Sequence, residues 1–178
     1  MRSPALLLAA LLLLSGCAGT APSPENSPRP APSVTVAETA APATAQWYFW
    51  EDSDPPSVFR TVTVGDSSSS TFEGTTRVIV ANLGQNRTLN VTMAHGPGNT
   101  TIYERGTQFP ADAALAFEMA QAGRYAVTVE HANGSGTMVL NGDDFDCNEQ
   151  THAIWVTEPG SVEDSYGTTD LACSVTTA

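Results

Sequence analysis

The chain has 178 residues, with nineteen acidic residues, seven arginines and no lysine, so its formal net charge is −12. Proteins that bind nucleic acid place clusters of Lys and Arg against the phosphates, and this composition argues against that function. It also argues against peripheral binding to an anionic lipid surface, where basic segments supply the attraction.

The first segment is an apolar stretch that ends at a cysteine. Residues 5–14 are ten apolar residues, and Leu14-Ser15-Gly16-Cys17 closes the stretch. Ten residues of helix measure about 15 Å, too short for a hydrocarbon core of about 30 Å. The segment resembles a prokaryotic lipoprotein signal, which implies that residues 1–16 are removed and that Cys17 carries lipid. A plain secretory signal, with Cys17 incidental, is the alternative.

Lipidation of Cys17 changes the count of the remaining cysteines. Cys147 and Cys173 are then the other two, and a pair of cysteines outside the cytoplasm favours a disulfide. In the chain-entropy model, closing the loop between them stabilises the fold by roughly 3.5 kcal/mol. Two free thiols, or half of a metal site, are the alternatives.

A tether is predicted to follow the anchor. Residues 17–45 are rich in Pro, Ala, Ser and Thr, and they include the run Pro28-Arg29-Pro30-Ala31-Pro32. Such a composition buries too little apolar area to offset the entropy of ordering, so the segment is predicted to be disordered and partly polyproline-like. At about 3 Å per residue it would extend about 80 Å from the membrane.

Four aromatic residues mark the start of the predicted domain. Trp47, Tyr48, Phe49 and Trp50 are consecutive in the sequence. One interpretation is an exposed patch that binds a partner. The other interpretation is a first strand that docks on the core, which is the more common structure of such aromatic clusters.

Residues 46–178 have the pattern of an all-β domain. Apolar residues alternate with period two in several short runs, and turn residues separate these runs. Asn133-Gly134 lies between two alternating runs and predicts a hairpin of 124–131 with 136–141. About seven or eight such strands predict an antiparallel β-sandwich.

The alanine-rich segment 111–121 is the one helix candidate in this domain. Its alanine content favours a helix, yet Leu115, Phe117 and Met119 alternate as they would in a strand. We predict a strand, because a β neighbourhood overrides intrinsic propensity.

The acidic, lysine-free composition resembles that of proteins from salt-loving archaea, in which high ionic strength screens charge repulsion. A GC-rich genome that favours arginine and alanine codons is the alternative. Four asparagines, Asn86, Asn90, Asn99 and Asn133, fit the Asn-x-Ser/Thr acceptor pattern and are candidate glycosylation sites. Together these features predict a halophilic surface glycoprotein.

Gly123-Arg124-Tyr125 carries a more specific resemblance. It looks like the Gly-x-Tyr tyrosine corner of immunoglobulin-like (Ig-like) and fibronectin-type sandwiches. Val127 stands where antibody domains have a cysteine, so the resemblance is only to Ig-like domains in the broad sense. With the hairpin and the late cysteines, residues 74–175 resemble small Ig-like lipoproteins of haloarchaea. That resemblance implies that a Cys147–Cys173 bond joins the last strand pair to the sheet.

The sequence contains none of the common catalytic motifs. Asn133 lies two residues before Ser135, so the nucleophile elbow Gly-x-Ser-x-Gly is absent. His-Glu-x-x-His, Cys-x-x-Cys and phosphate-loop motifs are also absent. We therefore expect no catalytic residues and no cofactor.

Two groups of residues raise the question of a metal. His95, Cys147 and His152 have the order of a blue-copper site, but no methionine follows His152 and a disulfide would occupy Cys147. The acidic run at 143–146 suggests calcium, but Glu149 stands where the EF-hand pattern requires glycine. We expect no metal at either place.

The sequence thus predicts a non-catalytic protein anchored by lipid to the outer face of the cell membrane. Its Ig-like sandwich would serve a structural, adhesive or accessory binding role, with an envelope protein as partner. The alternative is a solute- or metal-binding surface protein of cupredoxin-like type. The sequence identifies no partner and no oligomeric state.

Overall fold

The structure is a computed structural model that describes residues 34–39, 55–66, 68 and 72–169. This part of the chain folds into ten strands, and a short 3₁₀ helix, Gly142–Asp144, precedes the ninth strand. In chain order the strands are β1 (Val36–Thr39), β2 (Ser57–Val64), β3 (Thr76–Asn82), β4 (Arg87–His95), β5 (Thr100–Phe109), β6 (Ala113–Met119), β7 (Tyr125–His131), β8 (Gly134–Leu140), β9 (Gln150–Val156) and β10 (Val162–Thr168).

Two sheets pack face to face, which confirms the predicted all-β sandwich. One sheet has six strands in the order β1-β2-β6-β3-β9-β10, and the other has four in the order β5-β4-β7-β8. The six-stranded sheet is mixed rather than purely antiparallel, because β2 runs parallel to β6 and β3 runs parallel to β9. Both connections pass through strands of the other sheet, which gives the long crossover that parallel pairing requires.

The core lies between the sheets and follows the predicted alternation. Its main side chains from the six-stranded sheet are Val62, Val64, Val78, Val80, Leu115, Phe117, Ile154 and Val156, and those from the four-stranded sheet are Leu89, Val91, Met93, Tyr125, Val127, Val129, Met138 and Leu140. The predicted hairpin is also confirmed, since β7 pairs with β8 and His131 lies opposite Gly134.

The alanine-rich segment is a strand, as predicted. β6 forms hydrogen-bonded ladders with β2 on one side and with β3 on the other. Leu115, Phe117 and Met119 point into the core, while Ala114 and Ala116 are buried on the opposite face. Partners on both sides of β6 satisfy its backbone, so the sheet overrides the helix propensity of its alanines.

The prediction of a disordered tether over 17–45 is wrong at β1. Val36 lies opposite Val64 of β2 and packs against the core. Glu38 forms ion pairs with Arg60, at 3.8 Å, and with Arg105 of β5, which links the two sheets along this side. These contacts with distant residues hold a segment whose own composition favours disorder.

Several sequence predictions fall outside the described residues. They concern the signal segment 1–16, Cys17, most of the tether and the aromatic cluster Trp47–Trp50. Within the residues that the structure describes, no helix is long and apolar enough to cross a membrane.

Candidate functional site

The Gly-x-Tyr segment has the hydrogen bond of a tyrosine corner. The hydroxyl of buried Tyr125 donates to the carbonyl oxygen of Gln121 at 2.9 Å, and burial raises the pKa of this phenol to about 12. A Cβ atom on Gly123 would lie 2.8 Å from Nε2 of His95, so a side chain at this position would have to displace the His95 ring. The motif therefore has a structural role at the start of β7.

Replacing the tyrosine hydroxyl tests that role. We expect Tyr125→Phe to lower the free energy of unfolding by about 1 kcal/mol, because one hydrogen bond is lost and the Gln121 carbonyl loses its phenolic donor. Urea unfolding of the purified domain measures the change. The matched control is Tyr166→Phe, whose parent side chain is exposed and whose stability should be unchanged. Equal losses in the two variants would contradict the assignment.

A groove lies between the edge strands of the two sheets. β8 ends the four-stranded sheet and β10 ends the six-stranded sheet, and the two strands are in contact. Gly136 permits the close approach, since a Cβ atom there would lie 2.5 Å from Cγ1 of Val162. Next to this contact, 137–139 of β8 and 164–166 of β10 line a cavity of about 360 Å³.

Two apolar side chains stand out in this groove. Val139 is 41% exposed and Tyr166 is 69% exposed, and they are the exposed large hydrophobic residues of the described chain. The carboxylates of Asp144 and Asp164 line the same groove, which gives it a negative potential beside the aromatic ring. We call these four residues the β8–β10 groove.

No protein-family profile, curated protein or solved structure matches this chain. The β8–β10 groove was not predicted from the sequence, because its walls come from strands about 25 residues apart that belong to different sheets. The available local signal was Tyr166, an aromatic residue in the polar strand Val162–Thr168.

The residues of the copper hypothesis have structural contacts in this fold. The His95 ring packs on Tyr125 with 4.8 Å between ring centres, whereas Nε2 of His152 is hydrogen-bonded to Oε1 of Gln150 at 3.2 Å. Among the described residues, which include Cys147, no group of three or more His, Cys, Asp or Glu side chains could hold a metal ion.

Both histidines predict a loss of stability in mild acid. Burial lowers the pKa of His95 and of His152, and for His152 the nearby Asp144 carboxylate partly opposes that effect. An unfolded histidine binds a proton near pH 6.5, while the folded ones stay neutral to lower pH. The unfolding free energy should therefore fall as the pH drops below about 6.5, and these groups should not change it above that pH.

Urea unfolding at pH 7.5 and pH 5.5 in 1 M NaCl measures this effect. The salt screens general charge repulsion, and the window lies above the range in which carboxylates usually titrate. His95→Gln and His152→Gln should each reduce the pH dependence, whatever they do to the stability at pH 7.5. A domain as stable at pH 5.5 as at pH 7.5 would contradict the prediction.

The acidic run at 143–146 is occupied by hydrogen bonds of the protein. Oδ2 of Asp144 accepts from the backbone N–H of Asn141 at 2.7 Å, which fixes the start of the 3₁₀ helix. The Asp146 carboxylate accepts from the backbone and side chain of Asn148, and these bonds lower its pKa. Both carboxylates therefore have a local role in the turn that leads to β9.

Cys147 lies in this turn, while its predicted partner Cys173 lies outside the described residues. The end of β10 lies close to this turn, since the backbone N–H of Thr169 donates to the carbonyl of Glu149 at 3.0 Å. Cys173 is four positions after Thr169, a reach of up to about 13 Å. The Cys147–Cys173 bond stays a prediction.

The four predicted glycosylation sites lie in two kinds of position. Asn86, Asn99 and Asn133 are exposed in the turns β3–β4, β4–β5 and β7–β8 respectively. Asn90 is half-buried in the middle of β4, with ladders to β5 and β7 on either side.

A second cavity, of about 400 Å³, lies at the end of the sandwich that contains Asn86 and Asn133. Arg87 forms an ion pair with Glu158 at 3.6 Å and donates to the carbonyl of Thr157. The Nε2 atom of His131 lies 2.8 Å from the carbonyl oxygen of Gly160. Because these polar groups pair with one another, they join the turns at this end and leave few groups for a ligand.

Proposed function

We propose that this chain is a lipid-anchored cell-surface protein that presents a non-catalytic, Ig-like β-sandwich to a protein partner at the envelope. Cys17 would hold the lipid at the outer face of the membrane, and the Pro-rich segment would carry the domain away from it. The observation that carries the binding role is the β8–β10 groove, where Val139 and Tyr166 are exposed together.

The exposed pair has the character of an interface centre. Tyrosine is enriched at protein interfaces because it buries a large rigid surface and keeps a polar hydroxyl. The ring of Tyr166 also stacks beside the ring of His152, with 6.0 Å between ring centres. This contact restrains the tyrosine ring before a partner binds. A side chain that is already ordered loses less entropy when a partner covers it.

The charge of the groove indicates the chemistry of the partner. Asp144 and Asp164 flank the exposed ring, and the chain as a whole carries a net charge of −12. A complementary surface would present Arg or Lys next to an apolar side chain. Association should therefore weaken as ionic strength rises, unlike contact through apolar area alone.

The Ig-like assignment is supported by the buried Tyr125 hydroxyl and its bond to Gln121, which is the defining contact of the tyrosine corner. The mixed six-stranded sheet would make it a variant of that architecture, since Ig sandwiches are built from antiparallel sheets. The mature surface location is supported by the signal-like segment at 1–17 and by the composition of the tether.

Site-specific photo-cross-linking in intact native cells tests the binding role. A benzophenone amino acid in place of Tyr166 should give one discrete cross-linked species, and the same probe in place of Glu104 should not. Glu104 is a matched control because it is exposed on β5, at the opposite edge of the four-stranded sheet. Adding Asp164→Asn to the Tyr166 probe should reduce the yield. No adduct at position 166, or the same adduct at both positions, would overturn the proposal.

A further inference from the structure

The four Asn-x-Ser/Thr acceptor motifs (sequons) have no part in the proposed binding role. The fold places three of them in exposed turns and the fourth in the middle of a strand. We propose that Asn86, Asn99 and Asn133 are N-glycosylated in the native protein and that Asn90 is not. The inference rests on the export part of the proposed function, and it is independent of the β8–β10 groove.

The chemistry sets two requirements on an acceptor. The side-chain Nδ2 atom attacks the anomeric carbon of a lipid-linked oligosaccharide. The N–C1 bond forms as the bond from C1 to the phosphate oxygen breaks, Nδ2 loses one proton to a base, and the lipid phosphate leaves. Nδ2 must therefore be accessible, and the transferase must also reach the Ser or Thr hydroxyl two residues later.

Asn86 and Asn99 have their side chains oriented for this reaction. In each case Oδ1 is the atom that the protein holds: it accepts from the backbone N–H of Ala111 at 2.6 Å for Asn86, and from Arg124 at 2.9 Å for Asn99. These bonds leave the Nδ2 side of each amide directed away from its protein partner. A glycan on Nδ2 would keep both bonds, because glycosylation preserves the carbonyl oxygen as an acceptor.

Asn99 and Asn133 also lie where the backbone is easiest to reach. Asn99 has a positive φ of 48° in the β4–β5 turn, a conformation that asparagine tolerates better than most residues. Asn133 is in the short β7–β8 turn, where its backbone N–H is hydrogen-bonded to Nδ1 of His131. Loop tips of this kind are the most accessible parts of a folded chain.

The hydroxyl residues divide in the same way. Those of the three proposed sites are exposed, and the one that belongs to Asn90 is half-buried in β4. In the order of the sites they are Thr88, Thr101 and Ser135 for the proposed sites, and Thr92 for Asn90.

Asn90 is the least suited of the four asparagines to both requirements, because it is half-buried in the middle of a strand. Its backbone lies in a central strand, opposite Gly106 of β5 and Glu130 of β7. Its Nδ2 atom is also the hydrogen-bonded atom, since it donates to Oε2 of Glu130 at 3.4 Å. A transferase would have to pull β4 out of the sheet, and the buried neighbours Leu89 and Val91 hold it in the core. The sequon is therefore a match of sequence alone.

The three glycans would cover the two ends of the sandwich. Asn86 and Asn133 line the same cavity at one end. Asn99 follows the other end of β4, whose nine residues span about 27 Å. The glycans would shield the turns and leave the β8–β10 groove, at the side of the sandwich, open to a partner.

Glycopeptide mass spectrometry of the protein purified from its native cells tests the assignment. Cleavage after arginine gives one peptide with Asn86 (78–87), one with Asn90 and Asn99 (88–105), and one with Asn133 (125–178). We expect a glycan on each of the three peptides. In an Asn99→Gln variant, peptide 88–105 should carry none, and in the matched Asn90→Gln variant it should keep its glycan.

Two results would overturn the proposal. One is a glycan that remains on peptide 88–105 in the Asn99→Gln protein, which would place it on Asn90. The other is the absence of a glycan from any of the three proposed sites in protein recovered from the cell surface. Surface labelling of intact cells reports export separately, so a failure of export is distinguished from a failure of the glycan assignment.

Discussion

Phe117→Ala is expected to destabilise the domain by about 3–5 kcal/mol, because it removes a fully buried ring from the point where the two sheets meet. Within the six-stranded sheet, Phe117 lies between Val62 of β2 and Val78 of β3. Across the core its ring meets that of Tyr103 of β5 edge to face, with 5.1 Å between ring centres. The same side chain therefore joins three neighbouring strands to the opposite sheet.

The expected loss is large compared with the total free energy of unfolding of a domain. Single domains are stable by about 5–15 kcal/mol, so this one substitution removes a large fraction of the total. Urea unfolding at pH 7.5 measures it, at a pH where the two buried histidines add no pH dependence. Phe117→Leu is the matched control, since it keeps most of the apolar volume and should cost clearly less. Similar losses in the two variants would show that the site is not packed as described.

The position of Phe117 was predictable from the sequence, and the reason is local. Leu115, Phe117 and Met119 alternate, and period two is imposed by the strand itself whatever the rest of the fold. The same reasoning found the β7–β8 hairpin, where Asn133-Gly134 supplies turn residues between two alternating runs. Features that depend only on residues close together in the sequence could therefore be predicted from the sequence.

Pairing between distant strands was out of reach for the opposite reason. Alternation is the same in parallel and antiparallel strands, so it does not reveal that β3 runs parallel to β9. β1 has one core contact of its own, Val36, and it is held by pairing with β2 and by the ion pair of Glu38 with Arg105, 67 residues away. Most side chains of β5 are polar and exposed, so its sequence shows little alternation of apolar and polar residues.

The candidate sites show the same division. The hydrogen bond of Tyr125 to an upstream carbonyl was predictable, because Gly123 and Tyr125 belong to one short segment and the accepting carbonyl of Gln121 is four residues upstream. The β8–β10 groove was not, since Val139 and Tyr166 meet only when the edges of two sheets come together. The sequence motif also gives no position in the fold: nothing in Asn90-Val91-Thr92 indicates that β4 has partners on both sides.

Cys17→Ser is expected to release the protein from the membrane fraction. We expect the protein to depend on its lipid for attachment. Stable anchoring takes two acyl chains, or one acyl chain together with a basic patch on the protein. Without residues 1–16 the chain keeps six arginines against nineteen acidic residues, a net charge of −13, so an anionic surface repels it. Fractionation of native cells followed by immunoblotting measures the distribution, and intact mass shows whether residues 1–16 are still present.

Cys173→Ser is the matched control for the loss of a cysteine. It removes the predicted partner of Cys147 and leaves Cys17 in place, so the protein should stay in the membrane fraction even if the domain is less stable. Non-reducing mass spectrometry of the wild-type protein should show the 147–173 bond, and the control should lack it. The anchor assignment fails if the Cys17→Ser protein, cleaved or not, stays with the membrane as fully as the wild type. In that case Cys17 would be an unpaired third cysteine, and the case for pairing Cys147 with Cys173 by count would fail with it, because the count depends on the lipid.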